Sequence, residues 1–141
     1  MLQPTPTVFI VDDDASVRRA LGRVMTSAGL PSCAFPSVEA FLAADGLHAK
    51  GCIIADVTLS GLSGLQLKLR LNEARSSTPV IFLTAHDTEE LRQAAFQAGA
   101  TAFFRKPVDR QILLDAIHST TASPPHQPAP ASPSQPQLTP C

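Results

Sequence analysis

The sequence predicts an α/β fold in which five parallel strands alternate with five helices. Five short apolar runs are separated by segments whose apolar residues recur at helical spacing, with glycine, proline or aspartate at most of the junctions. This alternation is typical of a parallel sheet covered by helices on both faces and joined by right-handed crossovers. Five such strands commonly take the order 2-1-3-4-5. The predicted fold class is therefore α/β and flavodoxin-like.

The individual elements follow from this pattern in chain order. The apolar runs place strands at residues 8–11, 32–35, 52–55, 79–84 and 101–104. Helical spacing predicts a first helix over residues 15–28 and a third over residues 65–74. It also predicts a second helix that ends at residue 44, a fourth that ends at residue 98, and a fifth near the end of the domain. Ser37, Asp87 and Asp109 are suitable N-caps for the second, fourth and fifth helices, and Gly29 and Gly99 stand where the first and fourth helices should end.

Residues 65–74 carry two conflicting local signals. Four leucines at positions 65, 67, 69 and 71 alternate with polar residues, which is a strand pattern. None of these residues is β-branched, however, and Leu, Gln, Lys, Arg and Glu all favour helices. We therefore predict a helix here.

Composition separates a foldable part of the chain from a polar tail. Residues 123–141 hold seven of the thirteen prolines and no Asp, Glu, Lys or Arg. A segment of this kind buries too little apolar surface to offset the entropy of ordering it. We expect a disordered N-terminus over residues 1–6, one domain over 7–121 and a disordered Pro/Ser/Gln-rich tail over 122–141.

Charge and cysteine usage narrow the class of protein. The net charge is −1 and no basic run exceeds two residues, so we expect no direct contact with nucleic acid. No apolar stretch approaches the ~20 residues that span a bilayer, so we expect no membrane segment. Cys33, Cys52 and Cys141 have no paired spacing and fit reduced thiols. The sequence therefore predicts a cytoplasmic protein.

Polar residues follow four of the predicted strands. Asp12 and Asp13 come after the first strand and Asp56 after the third, Thr84 ends the fourth, and Lys106 follows the fifth. The strand order places the first and third strands side by side, and the carboxyl ends of parallel strands form the edge where ligands bind. We therefore expect three carboxylates, a hydroxyl and an ammonium group to converge at this edge.

This set of groups suits phosphoryl chemistry. Three carboxylates repel each other, and Mg²⁺ suits a site of one to three carboxylates with water and phosphate oxygens. Three carboxylates, one Mg²⁺ and one lysine sum to zero charge. Phosphoryl transfer needs mainly positioning and charge stabilisation, and aspartate is a known phospho-accepting nucleophile. We assign that role to Asp56, with Lys106 and Thr84 binding the phosphoryl oxygens.

Together these motifs resemble a response-regulator receiver domain of two-component signalling. The resemblance covers about residues 7–120. The matching residues are Val11-Asp12-Asp13, Asp56, Thr84-Ala85, Phe103 and Lys106-Pro107. Residues 61–64 and 84–87 are most similar to the FixJ branch of that family.

The resemblance implies a phosphorelay role for the (βα)5 domain. Asp56 would accept a phosphoryl group from a sensor histidine kinase or a phosphotransfer protein. Asp13 and Asp56 would bind Mg²⁺ directly, Asp12 through water, and Thr58 through its backbone carbonyl. The Lys106-Pro107 peptide bond is expected to be cis.

The resemblance also implies a switch. Thr84 would move toward the phosphoryl group and Phe103 would change rotamer with it. The surface of the fourth helix, fifth strand and fifth helix would then change, and a phosphorylation-dependent homodimer through this face is expected. One departure from the family is Leu59-Ser60, which stands where Met-Pro or Leu-Pro is usual and predicts a less rigid loop.

Other functions compete with this one. The domain could be the receiver of a shortened FixJ-like transcription regulator, or a binding module that works without phosphorylation. Haloacid-dehalogenase-like phosphatases also use a strand-end aspartate, but they need a second aspartate two residues later, where this chain has Thr58. We expect no enzymatic activity beyond phosphorylation and dephosphorylation of Asp56 itself.

Overall fold

The computed structural model describes residues 6–58 and 61–121. The strands are β1 (Val8–Val11), β2 (Ser32–Phe35), β3 (Cys52–Asp56), β4 (Val80–Thr84) and β5 (Ala102–Arg105). The helices are α1 (Ala15–Ser27), α2 (Val38–Ala43), α3 (Gly64–Glu73), α4 (Glu89–Gln97) and α5 (Arg110–Thr121), with a 3-10 turn at Gly46–His48. The sheet is parallel in the order β2-β1-β3-β4-β5, which confirms the predicted fold class. The predicted disorder over residues 1–6 and 122–141 lies outside the described residues except at residue 6, and so does the predicted flexibility at Leu59-Ser60.

Alternate residues of each strand face opposite sides of the sheet and build two separate cores. Phe9 and Val11 face one side, and Val8 and Ile10 face the other. On the first side the strands pack against α2, α3 and α4 through Val38, Phe41, Leu67, Leu71 and Ala95. On the second side they pack against α1 and α5 through Leu21, Met25, Leu113, Leu114 and Ile117. The central strands are therefore buried on both faces, which explains their continuous apolar runs.

Helix α3 resolves the conflict between the two local signals in favour of the predicted helix. Ser63 and Gln66 form a capping box at its start, in which each side chain accepts from the backbone N–H of the other. Its buried face follows helical spacing through Leu67, Lys68 and Leu71, whereas Leu69 is exposed. Desolvation lowers the pKa of the buried Lys68.

The start of α4 differs from the prediction by one residue. Thr88, not Asp87, is the N-cap, and its Oγ1 accepts a hydrogen bond from the backbone N–H of Leu91 at 3.2 Å. The carboxylate of Asp87 instead binds the guanidinium of Arg92. Asp and Thr are both good N-caps, so local preference alone does not distinguish these two adjacent residues. Asp109 caps α5 as predicted, accepting from the N–H of Ile112.

The cysteine prediction holds for one residue and fails for another. Cys52 is a buried free thiol, and burial raises its pKa to about 12. Cys33 is disulfide-bonded, so the prediction of a reduced thiol is wrong there. Spacing along the chain could not show this, because pairing depends on which cysteines the fold brings within bonding distance. Within residues 6–58 and 61–121, no helix is long and apolar enough to cross a membrane.

Candidate functional site

Lys106 joins two carboxylates at the carboxyl edge of the sheet. Its Nζ donates to Oδ2 of Asp12 at 2.8 Å and to Oδ2 of Asp56 at 2.9 Å. Val11 of β1 and Ala55 of β3 are paired in the parallel register, so the aspartates that follow them are neighbours. Lys106 reaches the same point from the end of β5. The structure thus brings together three of the residues that the strand ends predicted.

Local hydrogen bonds fix the other oxygen of each carboxylate. Oδ1 of Asp12 accepts from the backbone N–H of Asp14 at 2.9 Å. Oδ1 of Asp56 accepts from the backbone N–H of Thr58 at 2.9 Å and from its hydroxyl at 3.2 Å. Arg18 donates to the backbone carbonyl of Asp12 at 2.7 Å, a contact that the sequence gave no reason to expect. Each carboxylate is therefore oriented on one side by its own loop and on the other by Lys106.

The site is largely removed from solvent. Asp12 is 2% exposed and Asp56 8%, while the Lys106 side chain is 19% exposed. Burial alone would lower the pKa of Lys106, but the hydrogen bonds and charges of Asp12 and Asp56 outweigh it and raise that pKa above 10.5. Lys106 is therefore a fixed positive charge at neutral pH. It balances one of the two carboxylates that it contacts.

Asp13 directly follows Asp12 in the chain, but it is exposed. Across residues 6–58 and 61–121, no three acidic, histidine or cysteine side chains are grouped closely enough to hold a metal ion. The oxygen donors of Asp12, Asp13 and Asp56 are nevertheless of the kind that Mg²⁺ prefers. In this structure, Lys106 supplies the positive charge between Asp12 and Asp56.

Thr84 ends β4 and Phe103 lies in β5. Thr84 is fully buried, and its Oγ1 accepts from the backbone N–H of His86 at 3.0 Å. The carbonyl of Thr84 accepts from the backbone N–H of Lys106, so the end of β4 directly positions the lysine. Phe103 is 4% exposed and is paired with Phe82 in the sheet register. The Lys106-Pro107 bond is cis, as expected.

The segment that follows Asp56 is held by contacts that sequence reasoning missed. A Cβ at Gly64 would collide with the carbonyl of Asp56, so only glycine allows this close approach. Glu39 of α2 accepts from the backbone N–H of Leu62 at 3.0 Å, and this hydrogen bond lowers the pKa of Glu39. No signal in the sequence links Glu39 to a loop 23 residues away.

Another missed residue is Arg92 on α4. Its guanidinium carbon lies 4.9 Å from the centroid of the Phe103 ring, and the same guanidinium binds Asp87. Nothing in the sequence singled out Arg92. Its partner Asp87 was predicted as a helix cap, which hid the pairing.

Comparison with known proteins identifies the family. Residues 8–118 match the family described as "Response regulator receiver domain". "Transcriptional regulatory protein TdiR" of Thauera aromatica is 40% identical over 116 residues, which is 82% of this chain and 51% of that protein. "Transcriptional regulatory protein FixJ" of Azorhizobium caulinodans is 35% identical over 113 residues, which is 80% of this chain and 54% of that protein.

A solved structure agrees with these relatives. The crystal structure of FixJ-N is 30% identical, has a TM-score of 0.78, and is covered over 99% of its length by 91% of this chain. The chain spans about half the length of the curated relatives it matches. The resemblance to FixJ-like receivers that the motifs indicated is confirmed. The chain belongs to the response-regulator receiver family of two-component signalling.

Proposed function

We propose that Asp56 accepts a phosphoryl group from a sensor histidine kinase or a phosphotransfer protein. The observation that carries this proposal is the binding of Asp56 and Asp12, from adjacent strands, to Nζ of Lys106 at 2.9 and 2.8 Å. The carboxylate that we propose as the nucleophile lies beside a cation, at the edge of a parallel sheet where ligands bind. Phosphoryl transfer needs chiefly this positioning and charge stabilisation.

In the proposed step, one carboxylate oxygen of Asp56 attacks the phosphorus atom of a donor phosphohistidine. An O–P bond forms, giving an acyl phosphate, and the P–N bond breaks. The electron pair of that bond stays with the donor nitrogen, which takes up a proton and leaves as imidazole. Lys106 would follow the negative charge from Asp56 to the phosphoryl oxygens, and the hydroxyl of Thr84 would donate to them.

Mg²⁺ is the cofactor of this proposal. Asp13 and Asp56 would bind it directly, Asp12 through water and Thr58 through its backbone carbonyl. With Lys106 in place, the three carboxylates still leave a net charge of −2, which one divalent cation balances. When bound, the ion would supply the charge neutralisation that lets an anionic phosphoryl group approach.

The proposed output is a change in the surface formed by α4, β5 and α5. Thr84 would move toward the phosphoryl group, and Phe103 would change rotamer with it. Phe96 on α4 is 46% exposed and Ile112 on α5 is 52% exposed, which supports this face as the site of a phosphorylation-dependent homodimer. The relatives TdiR and FixJ are named transcriptional regulatory proteins. We therefore include a role in the control of transcription, in the cytoplasm, in the proposed function.

Intact-mass spectrometry tests phosphoryl acceptance. We expect incubation with acetyl phosphate and Mg²⁺ to add the mass of one phosphoryl group, and Asp56→Asn to abolish the gain. Asp115→Asn makes the same chemical change on an exposed part of α5 and should leave the gain intact. No gain in the wild-type protein, or an equal gain in Asp56→Asn, would contradict the proposal.

Light scattering tests the dimer. Beryllofluoride with Mg²⁺ mimics the acyl phosphate and should raise the measured mass toward that of two chains. Ile112→Lys places a charge on the proposed face and should prevent the increase without affecting phosphoryl acceptance. A mass that stays constant with beryllofluoride bound would contradict the dimer but not the acceptor role.

A further inference from the structure

Glu39 of α2 contacts the loop that follows Asp56. Its Oε2 accepts a hydrogen bond from the backbone N–H of Leu62 at 3.0 Å, although the two residues are 23 positions apart in the chain. Both carboxylate oxygens also lie close to Gly61, since a Cβ there would be 2.7 Å from Oε2 and 3.3 Å from Oε1. The carboxylate therefore rests on two consecutive residues of a loop that belongs to another part of the fold.

The surroundings of Glu39 favour its charged form. Glu39 stands in the first turn of α2, which begins after the N-cap Ser37. The hydrogen bond from Leu62 lowers the pKa of Glu39 most, and the backbone N–H of Glu39 itself and the charge of Arg70 on α3 also lower that pKa. An ionised carboxylate is a stronger hydrogen-bond acceptor than a neutral oxygen. Glu39 is thus a charged acceptor that links α2 to the loop.

The loop is also held at both ends by Asp56. At its start, Oδ1 of Asp56 accepts from the backbone N–H of Thr58. At its end, Gly64 lies directly against the carbonyl of Asp56. The segment between Asp56 and Gly64 contains no proline, which would restrict its backbone. Glu39 holds this segment between its two ends, and only two residues separate Thr58 from Gly61 in the chain.

We propose that Glu39 is a positioning residue that orders the loop carrying Thr58. It acts through its contacts with Leu62 and Gly61. The inference rests on the proposed function, in which Thr58 offers its backbone carbonyl to Mg²⁺ beside Asp56. A loop that is already held in place loses less conformational freedom when the ion binds, so the ion binds more tightly. Glu39 is not one of the proposed ligands of the ion.

Labelling by acetyl phosphate at increasing Mg²⁺ concentration measures this effect. In Glu39→Ala the loop loses its charged acceptor, and the Mg²⁺ concentration that gives half the maximal labelling rate should rise by about fivefold. The rate at saturating Mg²⁺ should change by less than about twofold, because the bound ion then orders the loop. Glu39→Gln keeps an oxygen that can accept from the N–H of Leu62, so the rise should be only about twofold.

Glu73→Ala is the matched control, because it makes the same change at an exposed position on α3. It should leave the Mg²⁺ requirement unchanged. Equal Mg²⁺ requirements in the wild type and Glu39→Ala would overturn the proposal. Equal rises in Glu39→Ala and Glu39→Gln would also overturn it, because the loss of negative charge alone would then explain the effect.

Gly61→Ala tests the same contact from the side of the loop. The φ of Gly61 is +81°, which strains any other residue, and the new Cβ would push the carboxylate of Glu39 away from Leu62. This variant should therefore need at least as much Mg²⁺ as Glu39→Ala does. Adding Glu39→Ala to it should cause little further rise, because the shared contact is already lost. Fully additive effects would contradict the proposal.

Amide hydrogen exchange in the metal-free, unphosphorylated protein separates this inference from the proposed function. The N–H of Leu62 donates to Glu39, so its exchange should be severalfold faster in Glu39→Ala, whereas the N–H groups of α5 should exchange as in the wild type. Unchanged exchange at Leu62 would overturn the role of Glu39 even if the wild type is labelled normally. A wild type that takes up no phosphoryl group at any Mg²⁺ concentration would instead overturn the proposed function.

Discussion

The pocket around Lys106 and the α4 side of the molecule are held by ionic contacts of very different character. In the pocket, Lys106 reaches Asp12 and Asp56 at 2.8 and 2.9 Å, and the two carboxylate side chains are 3% and 10% exposed. On the α4 side, Arg92 reaches Asp87 at 3.2 Å, and these side chains are 38% and 25% exposed. The two regions are nevertheless connected directly, because β4 runs from the pocket into the loop that carries Asp87.

This difference determines where the molecule can change shape. Breaking a buried ionic contact by removing one partner is costly, because the remaining charge has no solvent to stabilise it. An exposed ion pair contributes little, since water can replace either partner. The pocket is therefore a fixed frame for chemistry, and α4 is the element that can be displaced at low cost.

The largest expected effect is that of Lys106→Met. It leaves the facing oxygens of Asp12 and Asp56 without a counter-charge and should lower the free energy of unfolding by about 3 kcal/mol. Urea denaturation followed by circular dichroism would measure it. Lys50→Met, at an exposed position, is the control and should have little effect. A stability equal to that of the wild type would show that the pocket is not held by this contact.

A smaller loss is expected from Gly64→Ala. The new Cβ would press against the backbone of Asp56 and lie 3.1 Å from the Phe82 ring, so the backbone must shift. Overpacking of this kind costs about 2 kcal/mol, which thermal or urea unfolding would detect. Gly22→Ala is the matched control, because nothing lies within 4 Å of its Cβ. Equal stability of the two variants would contradict close packing between Gly64 and the backbone of Asp56.

The pocket contact should also depend on pH. The folded-state pKa of Lys106 is raised above its ordinary 10.5, so its contribution is complete below pH 10.5 and is lost as pH rises through the folded value. The stability gap between the wild type and Lys106→Met should therefore narrow above pH 10.5, by at most about 1.4 kcal/mol per pH unit. Parallel urea titrations at increasing pH would measure the gap. A gap that widens with rising pH would contradict the raised pKa of Lys106 in the folded state.

The smallest effect is that of Asp87→Asn on global stability. This change weakens an exposed pair and should cost about 0.5 kcal/mol at low salt and less at high salt. Urea denaturation at two salt concentrations would measure both values. A loss as large as that of Lys106→Met would remove the distinction between the two regions.

The strands and the site at their ends could be predicted because both depend on order along the chain. Apolar runs identified the strands, the parallel order brought their carboxyl ends together, and Asp12, Asp56 and Lys106 occupy those ends. The first residue of helix α4 was harder to predict. Asp87 and Thr88 differ little as caps, and the structure has Thr88 as the cap and Asp87 in contact with Arg92.

Contacts between side chains of different elements were beyond sequence reasoning for a related reason. Three features depend on distances that exist only after folding. Glu39 binds the loop at Leu62, Arg92 lies over Phe103, and Asp13 is exposed. A charged residue on a helix surface has the same local pattern whether it faces water or a neighbouring loop. Such contacts can be read only from a structure.

The division of the interior by the sheet has a practical consequence for anyone modifying this protein. Phe103, Phe82 and the inner residues of α2, α3 and α4 belong to one core, whereas Met25, Leu113 and Ile117 belong to the other. Substitutions that tighten the packing of α1 should therefore raise the melting temperature with little effect on the packing of α4 on the other side of the sheet. Stability and sensitivity could then be adjusted independently, on opposite sides of one sheet.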